Sequence, residues 1–325
     1  MNLSARVFLA VVASLALHAD LLQAQTPDLE RAAGVALRMA LKDAGYRIVD
    51  PPSAKPAEAP SPEPVVAPKP VVAPEPSPSA ASAVTSAGVA TNPVRRIDVG
   101  DGLSVEMVWC PPGRFLMGSP VNEELRKRNE TQHEEIITKG FWIGKFEVTR
   151  QLWASVVGDD PSDFPDLGDA SRYPVDNVSR DMCLNFIMRL NERAKGVRFR
   201  LPTEAEWEYA CRAGTSGPFG IGDGAGCADM QIRGSAVAGH PVVCGSFRPN
   251  AWGIYDMHGN VSEWCQDAYR KTPDSRPNGY VIRGGNWHER MVYARSAARL
   301  NYYSNRRSSQ LGLRLAADLT GDAGN

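Results

Sequence analysis

The sequence predicts an α+β domain at residues 97–318, with two helices, short strands and much irregular backbone. Three observations predict it. This region is dense in tryptophan, glycine and mixed charge, whereas residues 51–93 contain no aromatic residue. Two of its segments combine apolar periodicity with helix-capping residues. The rest consists of short apolar runs separated by glycine-rich loops, which is typical of strands rather than helices.

Capping residues define both predicted helices. Ser179 can accept a hydrogen bond at the start of the first helix, which we predict to run to Lys195. Thr203 and Glu206 have the spacing of a capping box, and Gly214 follows as a terminator of the second helix. The two helices are thus predicted from local chemistry alone.

The N-terminal residues 1–24 are typical of a secretory signal peptide. Arg6 supplies a positive charge, and an apolar run extends from Val7 to Leu17. Ala24 provides the small residue after which we expect cleavage. The run is too short to span a bilayer, so we expect no stable membrane insertion after cleavage and a periplasmic or secreted protein.

Three further segments flank the predicted domain. Residues 25–50 contain a short amphipathic helix, predicted from Thr26 to Tyr46. Residues 51–96 are rich in proline and alanine, and their composition favours an extended linker that cannot form a core. Residues 319–325 form a short tail.

Charge and cysteine content exclude several classes of protein. The formal net charge is -1, so we expect no nucleic-acid partner. None of the six cysteines forms a C-x-x-C pair, so a zinc ribbon has no support. An exported protein can form disulfides, and we predict a bridge between Cys227 and Cys244 across a short loop.

A series of motifs extends through residues 97–318 in a fixed order. The segments are Phe115–Ser119, Lys145–Thr149, Pro174–Ser179, Arg200–Ala210, Gly253–Trp264, Arg283–Trp287, Ala297–Arg299 and Leu311–Arg314. Together they resemble the formylglycine-generating enzyme (sulfatase-modifying factor) family. The resemblance implies a fold related to C-type lectins, irregular, with a twisted antiparallel sheet, two main helices and long ordered loops. It also implies, for active members, a copper ion held by two cysteines that oxidises a sulfatase cysteine to formylglycine.

The cysteine pair of that family is missing here. The segment from Gly284 to Ser296, where both cysteines are expected, contains none. Glu289 takes the place of the first cysteine. The segment is shortened, so the second cysteine has no clear counterpart, and Met291 lies nearby. Because soft thiolates are the ligands that Cu(I) prefers, we expect no copper and no formylglycine generation.

Other positions also depart from the family. Asn286 replaces the usual serine after the two glycines, and Ser262 replaces a tryptophan. Cys211 matches a cysteine whose family partner is replaced by Ser296, so Cys211 is either unpaired or paired elsewhere.

A calcium site is implied by the resemblance. The matching ligands are Asp256, Gly259, Val261 and Glu263, and two carboxylates with backbone carbonyls suit a hard cation. The alternative is structural: Glu263 pairs with an arginine while Asp256 caps a turn.

A second metal hypothesis concerns His258, His288 and Glu289. These residue types can form a two-histidine, one-carboxylate iron site if they converge. Such a site would make the protein a periplasmic maturation oxidase with a mononuclear metal, which we keep as the alternative function.

A binding face is predicted near the C-terminus. The segment from Val281 to Arg314 has an excess of positive charge, which favours an acidic partner. Its arginines are Arg283, Arg290, Arg295, Arg299, Arg306, Arg307 and Arg314. Tyrosine and arginine suit recognition surfaces, so we expect contacts from Trp287, Arg290, Tyr302, Tyr303 and Arg306. The main hypothesis is therefore a binding or assembly protein of the cell envelope, with an unknown protein or peptide partner.

Overall fold

The computed structural model describes residues 92–320, except 166, 223, 237–238 and 273–274. These residues belong to one compact unit, Ala83–Asn325. The predictions for the signal peptide, the helix in 25–50, most of the linker and the last residues of the tail lie outside the described residues. They stay predictions.

The described residues form three α-helices and eleven strands. The helices are α1 (Arg150–Val157), α2 (Arg180–Arg193) and α3 (Glu204–Arg212). The strands are β1 (Val94–Gly100), β2 (Leu103–Cys110), β3 (Gly113–Met117), β4 (His133–Ile137), β5 (Phe141–Gly144), β6 (Val197–Arg200), β7 (Ser262–Ala268), β8 (Tyr280–Arg283), β9 (Leu300–Tyr302), β10 (Leu311–Gly312) and β11 (Ala316–Leu319).

The larger sheet is antiparallel, as predicted. Its five strands lie in the order β1-β2-β5-β11-β6, and each neighbouring pair is antiparallel. The strand β11, the last among the described residues, therefore lies inside the sheet between β5 and β6. A second sheet has the order β10-β7-β8-β9, with β10 parallel to β7. Strands β3 and β4 form a separate hairpin-like pair.

Both predicted helices form with the expected caps. The Ser179 hydroxyl accepts from the Met182 backbone N–H, and α2 ends at Arg193, two residues before the predicted end. At α3 the Thr203 and Glu206 side chains make the reciprocal bonds of a capping box. The helix α1 was not predicted, although Thr149 caps it and Gly158 ends it in a left-handed conformation.

Two apolar clusters make up most of the core. The first joins α1 and α2 to the five-stranded sheet, and in it the ring of Trp153 stacks on Phe186 at 4.8 Å. The second surrounds Trp207 of α3 and reaches the inner faces of β2, β5 and β8. Together the two clusters hold α3, β7 and β8 in place next to the segment that begins at Gly284. No helix among the described residues has the length and hydropathy needed to cross a membrane.

The predicted Cys227–Cys244 bridge is wrong. All six cysteines, which lie within the described residues, are free. Cys227 is exposed, whereas Cys244 is buried with its sulfur 3.5 Å from a carboxylate oxygen of Glu147. The short sequence separation did not bring the thiols together because Cys244 is drawn into the core.

Candidate functional site

The segment from Gly284 to Ser296 begins with a buried polar pair. The amide nitrogen of Asn286 donates to the hydroxyl of Ser262 at 3.0 Å, and both residues are buried. The Asn286 side-chain oxygen accepts from the backbone N–H groups of His288 and Glu289. Two departures from the family pattern are therefore in contact. The small serine leaves room for the asparagine, which in turn fixes the following turn.

Trp287 is the centre of an aromatic group beside this turn. Its ring meets Phe164 edge-on at 5.5 Å and His288 at 5.4 Å, and Phe164 also contacts His240. The indole N–H donates to the Ser309 carbonyl at 2.9 Å. Trp287 is half-buried, so part of its ring remains available to a ligand.

Glu289 and Met291 lie in the segment where the family has its cysteines. The Glu289 N–H donates to the Asn286 carbonyl within the turn, and the Glu289 carbonyl accepts from the Arg233 N–H of a distant segment. Met291 begins a short 3-10 helix and packs against a small apolar cluster around Phe219. A carboxylate and one thioether do not make a two-thiolate site.

A buried thiol next to this segment, Cys211, is unpaired. Its sulfur lies 3.6 Å from the Ser296 hydroxyl and 3.6 Å from His258 Nε2. Burial raises the pKa of the Cys211 thiol to about 12, so the thiolate is not formed near neutral pH. The adjacency of Cys211 and Ser296 confirms the sequence inference that the serine stands where a disulfide partner is expected.

The three candidates for an iron site do not form one. His258 is buried, its Nδ1 donates to the Ala294 carbonyl at 2.7 Å, and its Nε2 accepts from the Gly220 N–H at 2.9 Å. Burial lowers the pKa of His258 to about 4, which keeps the ring neutral. His288 is exposed, and among the described residues no three His, Cys, Asp or Glu side chains are arranged to hold a metal ion. The neutral His258 ring therefore links the backbone at Gly220 to the backbone at Ala294.

The predicted calcium ligands lie in a buried carboxylate cluster. Both oxygens of Glu263 accept from Arg314, at 2.7–3.0 Å, and Glu263 Oε2 also accepts from the Trp207 indole at 2.6 Å. Asp256 Oδ2 accepts from the Gly245 N–H, whereas its Oδ1 is buried with no hydrogen-bond partner. One oxygen of Asp256 is therefore without a hydrogen-bond partner, whereas both oxygens of Glu263 are already engaged. Glu263 thus pairs with an arginine, which was the structural alternative to its role as a calcium ligand.

Glu147 adds a third carboxylate to the same cluster. It accepts from the Asn260 side chain and the Val261 N–H. Burial, together with the charges of Asp256 and Glu263, raises the pKa of Glu147 well above its usual value. Sequence reasoning missed this residue because it lies more than a hundred positions from the motif that it contacts.

Most of the C-terminal arginines are structural. Arg283 pairs with Glu208, Arg295 with Glu130, Arg299 with Glu204 and Arg314 with Glu263. Arg307 donates to a backbone carbonyl. Arg290, Arg306 and Arg307 are exposed and make no ion pair among the described residues. The charge excess seen in the sequence is thus largely balanced by distant carboxylates.

The predicted binding face divides into core and surface residues. Tyr302 is half-buried in β9, and its ring packs against Trp264 at 6.1 Å. Tyr303 is 56% exposed, and Arg306 follows it in an exposed turn. Tyr302 is therefore an unsuitable probe of binding alone, whereas Tyr303 is available to a ligand.

The α+β architecture and the glycine-rich segment after β8 define the class of protein. The model of the sulfatase-modifying factor enzyme 1-like domain matches residues 101–319, two thirds of the chain. The chain therefore belongs to the formylglycine-generating enzyme (sulfatase-modifying factor) family, with the expected fold related to C-type lectins.

Several relatives share this domain. The chain is 28% identical to "Chaperone protein LppX" of Paenibacillus barcinonensis, over 47% of this chain and 71% of that protein. It is 38% identical to the formylglycine-generating enzyme of Streptomyces coelicolor, over 37% of this chain and 48% of that enzyme. The match thus spans about half the length of that enzyme.

Two solved structures have a similar fold. PvdO from Pseudomonas aeruginosa has a TM-score of 0.61 and 28% identity, over 71% of this chain and all of that one. Treponema denticola variable protein 1 has a TM-score of 0.59 and 25% identity, over 70% and 99% of the two chains.

Proposed function

We propose that this protein is a binding or assembly factor of the cell envelope and does not convert cysteine to formylglycine. The observation that carries the proposal is the segment from Gly284 to Ser296, which has no thiol. Its buried neighbour Cys211 has a raised pKa and a hydrogen-bonded environment. A two-thiolate Cu(I) site needs two ionised cysteines within a few ångströms of one metal.

Two further facts support this proposal. A relative that shares the domain is named a chaperone protein, which is a binding rather than an oxidising role. The pattern of residues 1–24 is typical of an exported protein, so the partner is expected in the periplasm or outside the cell. The exposed residues Arg290, Tyr303 and Arg306, with half-buried Trp287, are the side chains that we propose for contacts with that partner.

Formylglycine formation is tested directly with a sulfatase-type cysteine peptide. The full-length protein, treated with Cu(I), is incubated with the peptide and oxygen, and mass spectrometry follows the cysteine. The Streptomyces coelicolor enzyme serves as the positive control. We expect an aldehyde product only with the control enzyme. An aldehyde product that depends on this protein would refute the proposal.

We also propose that Asp256 contributes to a calcium site, supported by its buried, unpartnered Oδ1. Chelation is expected to lower the melting temperature, because an ion that binds only the folded state stabilises it. Asp256→Asn is the suitable variant, since Glu263→Ala would leave the Arg314 guanidinium buried without its partner. If chelator leaves the wild-type melting curve unchanged, calcium is not bound there.

A further inference from the structure

An open trough lies on the face formed by α2 and β6, and it includes none of the segment from Gly284 to Ser296. Its volume is about 630 Å³. Phe199 and Leu201 lie buried along its floor, and Leu184 and Met188 of α2 form a wall. Leu184 is 41% exposed and Met188 is 55% exposed. Because they are four residues apart, these two side chains make a continuous apolar ridge on α2.

Arg180 gives this trough an unbalanced positive charge. It is only 9% exposed, its guanidinium stacks on the Tyr280 ring at 3.7 Å, and it donates to the Gln266 carbonyl at 2.9 Å. No carboxylate among the described residues pairs with it. Each of the other buried arginines has an acidic partner: Arg150, Arg212, Arg283, Arg295 and Arg314. A nearly buried cation without a counter-charge is costly, so an external carboxylate is favoured at this position.

A second arginine without an acidic partner lines the same trough. Arg198 is exposed and makes no ion pair within the described part of the chain. Arg200, beside it, is already held by Glu206 and Asp318. Two guanidinium groups that lack an acidic partner, Arg180 and Arg198, therefore line one trough beside its apolar ridge, which complements an acidic and amphipathic partner.

A partner cannot add to the sheet as a further strand at the middle of the β6 edge. The Asn191 side chain accepts from the Phe199 N–H at 2.7 Å and donates to the Phe199 carbonyl at 2.9 Å. The backbone groups that an added strand needs are thus already bonded. Docking has to use side chains, and an exposed helical ridge such as Leu184–Met188 packs against another helix.

We propose that this trough binds an acidic amphipathic helix of a partner protein. Apolar side chains of the partner pack on Leu184 and Met188, and its carboxylates bond to Arg180 and Arg198. The inference goes beyond the proposed function, because it names a second surface and the chemistry of its occupant. It does not depend on the missing cysteine pair.

A displayed library of helical peptides tests the proposal, with leucines fixed at helical spacing and the remaining positions randomised. The full-length protein is the bait. We expect enrichment of aspartate and glutamate over lysine and arginine among the bound peptides. Binding of a synthetic peptide from the enriched set should weaken at least about tenfold in Met188→Glu and in Arg198→Glu.

Matched controls come from surfaces away from the trough. Leu116 of β3 is 54% exposed, so Leu116→Glu controls for the loss of an exposed apolar side chain. Arg128→Glu controls for the charge change, since Arg128 is exposed. Both controls should bind the peptide as the wild type does, and melting curves check that all variants fold. Failure to select binders, no acidic enrichment, or equal binding by the trough variants would overturn the proposal.

Discussion

Replacing Ser296 with cysteine is expected to create a disulfide that the structure lacks. The Cys211 sulfur and the Ser296 oxygen are 3.6 Å apart, and both residues are fully buried. A small side-chain rotation brings two sulfurs from this spacing to bonding distance. The closed loop contains about 85 residues, for which the loss of unfolded-state entropy corresponds to about 4.5 kcal/mol. Native-state strain from crowding against the His258 ring reduces this gain.

The assay compares thermal unfolding of Ser296→Cys with and without reductant. For a domain of this size, a full gain raises the melting temperature by about 10 °C under oxidising conditions. Peptide mapping should identify a disulfide that joins Cys211 to the introduced cysteine, and a Cys211→Ala, Ser296→Cys double variant should show no redox dependence. If every thiol of the oxidised single variant remains free, the reasoning is refuted, because the adjacency of the two side chains would then be wrong.

Three other predictions concern neighbouring features. Burial raises the pKa of Asp176 from 3.8 to about 7. The folded protein therefore binds a proton on this carboxyl more tightly than the unfolded chain does, and the free energy of unfolding falls as pH rises between these two values. Asp176→Asn should therefore increase the free energy of unfolding at about pH 8 by at most about 4 kcal/mol and raise the melting temperature there. At about pH 4 the substitution should change the melting temperature little. A double-mutant cycle of Ser262→Ala and Asn286→Ala should give an interaction energy of about 1 kcal/mol in the free energy of unfolding. Additive effects of the two substitutions would contradict a hydrogen bond between these side chains. Tyr303→Ala should change stability by less than about 0.5 kcal/mol, whereas Tyr302→Ala should cost more than about 1 kcal/mol in denaturant unfolding.

The parts of the fold that depend on local chemistry could be predicted. Ser179 and Thr203 cap their helices because the hydrogen bonds involve residues only three positions away. The short helix α1 was missed because much of its stability comes from the stacking of Trp153 on Phe186, a residue of another helix. Family motifs supplied the rest of the fold class.

The candidate site was less accessible to sequence reasoning because its contacts are long-range. The sequence shows seven arginines in the C-terminal segment, but not that Arg314 reaches Glu263 or that Arg295 reaches Glu130. It shows Asn286 and Ser262 as two separate departures from the family, but not that they touch. The adjacency of Cys211 and Ser296 was the exception, since the family resemblance already coupled the two positions.

The position of β11 has a consequence for how the chain matures. This strand separates β5 from β6, so the five-stranded sheet cannot close until residues 316–319 are available. Until then β5 and β6 each expose an unpaired edge, which is a template for aggregation. A chain that emerges from its N-terminal side would therefore complete this sheet only after β11 has emerged. Truncation before Ala316 should yield an insoluble product rather than a smaller domain.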